Sequence, residues 1–151
     1  MAISAATMTV TLTESVTLNG SVRGSTNTLT LSDIHEVVER TVTILHTSEV
    51  EIIAFSTAVT SGTFIEGDAR YIRITNLDDT NSVELAVVTV GTTYQVKIGA
   101  GESHILAGGA NDMMLAEADT TPSFGVMADI KSLRVNPGGN LVDIEVFIAS
   151  V

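Results

Sequence analysis

Cysteine is absent from this sequence of 151 residues. Stability must therefore come without disulfides or thiolate metal sites, and cysteine usage leaves the redox compartment open. Tryptophan is also absent and aromatic residues make up only 4%, which argues against a sugar site built on ring stacking. Basic residues are scarce, seven against eighteen acidic ones, for a formal charge of −11. That field repels a phosphate backbone and argues against a nucleic-acid partner. No apolar run approaches the roughly 20 residues that span a bilayer, so no membrane partner is expected. Met1–Ala6 lacks a basic region followed by a sustained apolar one and does not read as a secretion signal.

What is present is dispersed aliphatic content: 44% hydrophobic residues and a mean hydropathy of +0.37. Charged residues make up only 17%, low for a free-standing monomer, so some surface is expected to be buried against another chain. The length suits one ordinary domain with a real core.

Alternation with a period of two dominates the middle of the chain, from Arg70 to Leu106. Ile72 and Ile74 alternate with Tyr71, Arg73 and Thr75, which predicts a strand with one apolar face. Asn76–Asn81 supplies turn chemistry, because short Asn and Asp side chains bond nearby backbone. Val83, Leu85 and Val87 carry the next apolar face, then Tyr94, Val96 and Ile98, with Val90-Gly91-Thr92 and Gly99-Ala100-Gly101 as punctuation. Read as consecutive neighbours, these strands form a β-meander.

Before it, Thr7, Thr9, Thr11 and Thr13 alternate with Met8, Val10 and Leu12, a pattern that suits a pleated surface. Asn19-Gly20 is a two-residue hairpin signal, with Gly24–Asn27 a second turn candidate close behind, and Thr28–Leu31 continues the alternation. Ser32–Arg40 carries a weak helical spacing, too short to stand alone, and reads as strand or a single turn. Glu49–Phe55, Ile130–Val135 and Leu141–Ile148 are further strands, with Asn136–Asn140 a turn between the last two. Gly108–Asp112 reads as a flexible turn before Met113–Ala116, and Asp119–Ser123 as a loop, since Pro122 lacks an amide donor. The expectation is an all-β chain: a single antiparallel β-sandwich, jelly-roll-like, of about ten short strands. Residues 1–31 form a strand-forming segment that serves either as an arm pairing with another subunit or as part of the fold. Residues 32–151 form the sandwich. The core is expected to hold Ile72, Ile74, Val83, Leu85, Val87, Tyr94, Val96, Ile98, Ile144, Val146 and Ile148.

The search for chemistry returns little. His35, His46 and His104 are far apart and in no metal-binding spacing. Asp78-Asp79-Thr80-Asn81 clusters oxygens that could hold Ca²⁺, but without the ligand order of an EF-hand, and a tight turn uses the same residues. No nucleophile elbow, dinucleotide fingerprint or P-loop occurs. Arg70 and Arg73, the one close basic pair, are expected beside acidic neighbours rather than phosphate. No catalytic residue, cofactor or metal is assigned, and the chain is not expected to be an enzyme.

RYIRITNLDDTN (Arg70–Asn81), SVELAVV (Ser82–Val88) and YQVKIGAGESHIL (Tyr94–Leu106) resemble a pattern recurring in small structural proteins of tailed phages, above all capsid decoration (cement) proteins and their β-sandwich relatives. Ala128–Val135 and Val142–Ala149 are similar to the C-terminal strands of the same group, and the resemblance runs from Glu39 onward. It implies a virion protein, made in the host cytoplasm, that binds the outer capsid surface and cross-links major capsid protein subunits to stabilise the shell. It also implies a homo-oligomer. A trimer is expected, because capsid lattices offer three-fold and quasi-three-fold positions, though symmetry would permit dimers. Two rivals stand beside it. One is a tail- or fibre-associated adhesin with a lectin-like carbohydrate site in loops at one end of the sandwich. The other is a small hydrolase on a jelly-roll scaffold, which would show histidines and carboxylates clustered in a pocket.

Overall fold

The computed structural model describes residues 4–45, 49–91, 93–107 and 128–151. Among them the regular structure is strand only, with no helix and so none long and apolar enough to cross a membrane. The all-β expectation holds, with thirteen strands among the described residues; the count exceeds ten partly because pieces of two or three residues at turns also pair. The segments read as Gly108–Asp112, Met113–Ala116 and Asp119–Ser123 lie outside the described residues, as does His46. The chain divides into two compact units, Met1–His35 and Glu36–Val151. That division falls four residues after the one read from the sequence, because Ser32–Ile34 complete a strand of the first unit.

The first unit is a two-stranded ribbon with a small hairpin at its tip. β1 (Ala6–Thr13) pairs antiparallel with β4 (Thr26–Ile34), and β2 (Val16–Leu18) with β3 (Ser21–Arg23). Asn19 (φ 51°) and Gly20 (φ 80°) turn β2 into β3 with both residues left-handed, as an Asn-Gly hairpin requires. Gly24 (φ 126°) closes the ribbon, where a Cβ would collide with the Glu14 carbonyl. The register sorts the side chains by chemistry. Thr9, Thr11 and Thr13 oppose Thr30, Thr28 and Thr26 on one face; Met8 and Val10 oppose Leu31 and Leu29 on the other.

The second unit is a sandwich. One sheet has the order β11-β8-β13-β5 and the other β10-β9-β12-β6-β7, with β5 (Glu36–Ile44), β6 (Val50–Ser56), β7 (Phe64–Ile65), β8 (Ala69–Asn76), β9 (Val83–Thr89), β10 (Thr93–Ile98), β11 (Ser103–Leu106), β12 (Ile130–Asn136) and β13 (Val142–Ser150). Every pairing is antiparallel except the two-residue contact of β6 with β7. The pairs nest: β9 with β10, β8 with β11, β6 with β12, β5 with β13. This long antiparallel ribbon is then rolled, so that β13 also meets β8 and β12 also meets β9.

The meander is therefore corrected. β8 and β9 lie in different sheets, as do β10 and β11, and only β9–β10 is a hairpin. Hairpin turns and sheet-crossing bends use the same Asn, Asp and Gly residues, so the local pattern does not distinguish them. Ser32–Arg40 is strand up to Ile34 and again from Glu36.

Both inner faces share one core, with Ile72, Ile74, Ile144, Val146 and Ile148 from one sheet and Val83, Leu85, Val87, Ile98, Leu133 and Val135 from the other. Nine of the eleven expected core residues are buried; Tyr94 and Val96 are partly buried and pack against the cluster from β10, the outer strand of its sheet. Tyr71 departs from its reading. It points away from the core yet is buried, edge-on to Phe147 with ring centroids 5.8 Å apart.

Truncating Ile74, which is fully buried, should cost about 2–5 kcal/mol through lost burial and the cavity left behind. Leu45→Ala, at a side chain 59% exposed, should stay within about 0.5 kcal/mol of wild type. Denaturant midpoints of the two variants check the difference.

Candidate functional site

Those of the residues singled out in the sequence that are described do not converge. His35 is exposed in the single-residue gap between β4 and β5. His104 sits on β11, half-buried, its ring 6.0 Å from that of Tyr94. Its Nε2 is buried with no hydrogen-bond partner among the described residues, and burial lowers its pKa, since the charged imidazolium would lose water there. Among the described residues no group of three or more His, Asp or Glu is placed to hold a metal ion.

Asp78 spends its carboxylate on the turn. Oδ1 accepts from the amides of Thr80 (2.8 Å) and Asn81 (2.5 Å), which holds the carboxyl below its usual pKa. Asn76 is the polar residue the sequence reading undervalued. It ends β8 fully buried and joins both bends that cross between the sheets. Its side-chain amide donates to the carbonyls of Asn81 (2.7 Å) and Gly99 (3.0 Å), its Oδ1 accepts from the Asp78 amide (3.1 Å), and its own amide bonds the Glu102 carbonyl (2.9 Å).

The basic residues of the sandwich are largely engaged by acid or carbonyl groups. Arg73 reaches Glu145 (2.5 Å) and lies over the Phe147 ring, 5.8 Å from its centroid. Lys131 pairs with Glu66 and Arg134 with Glu49 (2.6 Å), while Arg70 bonds the Gly67 carbonyl and Arg40 the Ile52 carbonyl. Three of these mark irregularities in the ladders. Arg70, Lys131 and Ile52 are each skipped where a strand register shifts. At such a bulge one residue is left out of the pairing, and at Ile52 its carbonyl takes the Arg40 guanidinium.

Two concavities stand out among the described residues. A recess of about 310 Å³ opens on the outer face of β10-β9-β12-β6, floored by the small Ala86 and walled by Glu84, Gln95, Arg134, Asn136 and Glu49. Its lining offers amides, carboxylates and a guanidinium already paired to Glu49. The second, about 200 Å³, lies beside the edge strand β5. Val38, Ile52, Ile53, Phe64, Val146 and Ile148 line it, with Glu36 and Arg40 also at its wall. Sequence reading missed both, because each is assembled from strands distant in the chain.

Asn76→Ala should destabilise the sandwich by about 1–3 kcal/mol, since it strips partners from carbonyls at two bends. His104 sets a pH dependence. Its folded pKa lies below the unfolded value of about 6.5, so between those two values the unfolded chain binds more protons. Its contribution is then fully present above about pH 6.5 and is lost as pH falls through that window. Denaturant midpoints from pH 8 to 5 should fall less for His104→Leu than for wild type.

Compared with known protein families, curated proteins and solved structures, the chain has no match.

Proposed function

We propose that this chain is a phage virion protein that decorates the outer capsid surface and cross-links major capsid protein subunits, working as a homo-oligomer, with a trimer the first choice. The observation that carries the reading is its two-part build. A densely packed sandwich stands with a strand ribbon whose Leu12, Leu18, Val16 and Val22 are each more than half exposed. Apolar residues on a two-stranded ribbon call for a partner surface. A cement protein needs this combination of a rigid cysteine-free body and strand edges or apolar contacts for docking. Simultaneous contacts to several subunits would multiply its affinity.

The strand order lends further support. Rows β5-β13-β8-β11 and β6-β12-β9-β10 support reading the sandwich as a jelly roll, an architecture of viral capsid and lectin domains. The same association keeps one alternative in play, a tail- or fibre-associated adhesin. The polar recess around Ala86 is the observation in its favour, located on a sheet face rather than in end loops.

The test uses purified particles. The protein should be present in them at a fixed copy number per shell. Stripping it should lower the temperature at which shells rupture, and adding it back should restore that temperature. Absence from particles, or unchanged rupture after stripping, overturns the cement reading. Glycan-array binding lost in Gln95→Ala would then favour the adhesin.

A further inference from the structure

The outer edge of β5 and the cleft beside it have the chemistry of a strand acceptor. β5 is nine residues long and pairs only with β13, leaving its other edge without a partner strand among the described residues. An extended strand added to such an edge gains main-chain hydrogen bonds along its length and sends alternate side chains into whatever pocket flanks the edge. Here that pocket is the largely aliphatic cleft between the sheets, walled by Val38, Ile52, Phe64 and Val146, with Glu36 and Arg40 also at its wall.

The chain carries a segment with matching chemistry. β1 has eight residues with no ionisable group, and its outer edge likewise has no partner strand among the described residues. The match extends to the faces. On β5, Thr41 and Thr43 are exposed, while Val38 and Val42 of the opposite parity are partly buried against the core. On the ribbon, threonines fill one face and Met8, Val10, Leu29 and Leu31 the other. Laid edge to edge, the threonine face continues the outside of the sheet and the apolar face turns to the cleft.

We propose that the β1 edge of the ribbon of a second copy of this chain adds to β5, extending the sheet β11-β8-β13-β5 by two strands. Charge favours a ribbon-on-sandwich contact between copies over sandwich on sandwich. Met1–His35 carries Glu14 and Asp33 against Arg23, a net −1, which leaves −10 of the total −11 on residues 36–151. His35 alone joins β4 to β5, fewer residues than the two of the tightest hairpin, which favours a second copy as the donor. Head-to-tail contacts of this kind close into rings when the rotation allows.

This inference deepens the homo-oligomer part of the proposed function and is independent of the capsid. Its test therefore uses the isolated full chain without particles. Native mass and amide hydrogen exchange are measured for wild type, Leu12→Lys on the apolar face and Thr11→Lys on the threonine face. Wild type and Thr11→Lys should be multimeric with alternate β5 amides protected at the outer edge. Leu12→Lys should run as a single copy with that protection lost and the β13 amides still protected. A single-copy wild type overturns the proposal. So does a multimer with a freely exchanging β5 edge, a Leu12→Lys variant that keeps its mass and protection, or equal loss in both variants. A negative result here leaves the particle test standing, and a negative particle result leaves this one standing.

Discussion

β13 is the strand on which the sandwich depends. It pairs with β5 on one side and β8 on the other, and its Ile144, Val146 and Ile148 are fully buried against the opposite sheet. β5 and β8 share no pairing of their own, so without β13 their sheet separates into two pieces. The strand also lies near the C-terminal end of the chain while its partners begin at Glu36 and Ala69. Closing such long loops carries an entropic cost before the contacts repay it, which makes this topology one of high contact order. The rolled pairing, once complete, buries a single core with aliphatic side chains at nearly every inward position.

Polar chemistry in the sandwich works mainly on the backbone. Asn76, Asp78 and Glu102 satisfy amides and carbonyls at the bends where the chain changes sheet. Arg70 and Arg40 do the same for carbonyls near the ladder irregularities. Buried backbone groups left unpaired cost about as much as a lost hydrogen bond, and the crossings concentrate such groups at the ends of the sheets. These side chains thus hold the corners, while the aliphatic residues hold the faces.

That division explains what the sequence made legible. Val83, Leu85 and Val87, or Ile144, Val146 and Ile148, alternate with exposed or half-exposed residues, and period two translates directly into one buried face. Asn19-Gly20 named its own turn type. The sheet crossings were not legible, because Asn76–Asn81 reads as a hairpin turn until β8 is seen to pair with β11. Ile52 and Ile53 are adjacent and both buried, which breaks the alternation. The reason is a register shift against β12, a property of two strands rather than of one. The cleft beside β5 lay further out of reach, since its walls come from four separate stretches of chain.

The ribbon poses the sharpest energetic question. Ordering a residue's backbone costs roughly 1–2 kcal/mol, and two strands alone are marginal in water at best. Cross-strand threonine pairs contribute only about 0.2–1 kcal/mol each, so the threonine face does not offset that cost by itself. On the apolar face Leu31 is buried and Met8 and Val10 half-buried, while Leu12 and Leu29 stay exposed; covering those gains roughly 25 cal/mol per Å² removed from water. The near-neutral ribbon then makes sense beside a sandwich bearing −10. Two sandwiches brought into contact set like charges within the Debye length of about 8 Å at physiological salt. A ribbon of net −1 adds its apolar face with little of that repulsion. The high charge on the sandwich and the low net charge of the ribbon are therefore two halves of one constraint, which opposes indiscriminate association while leaving one route open.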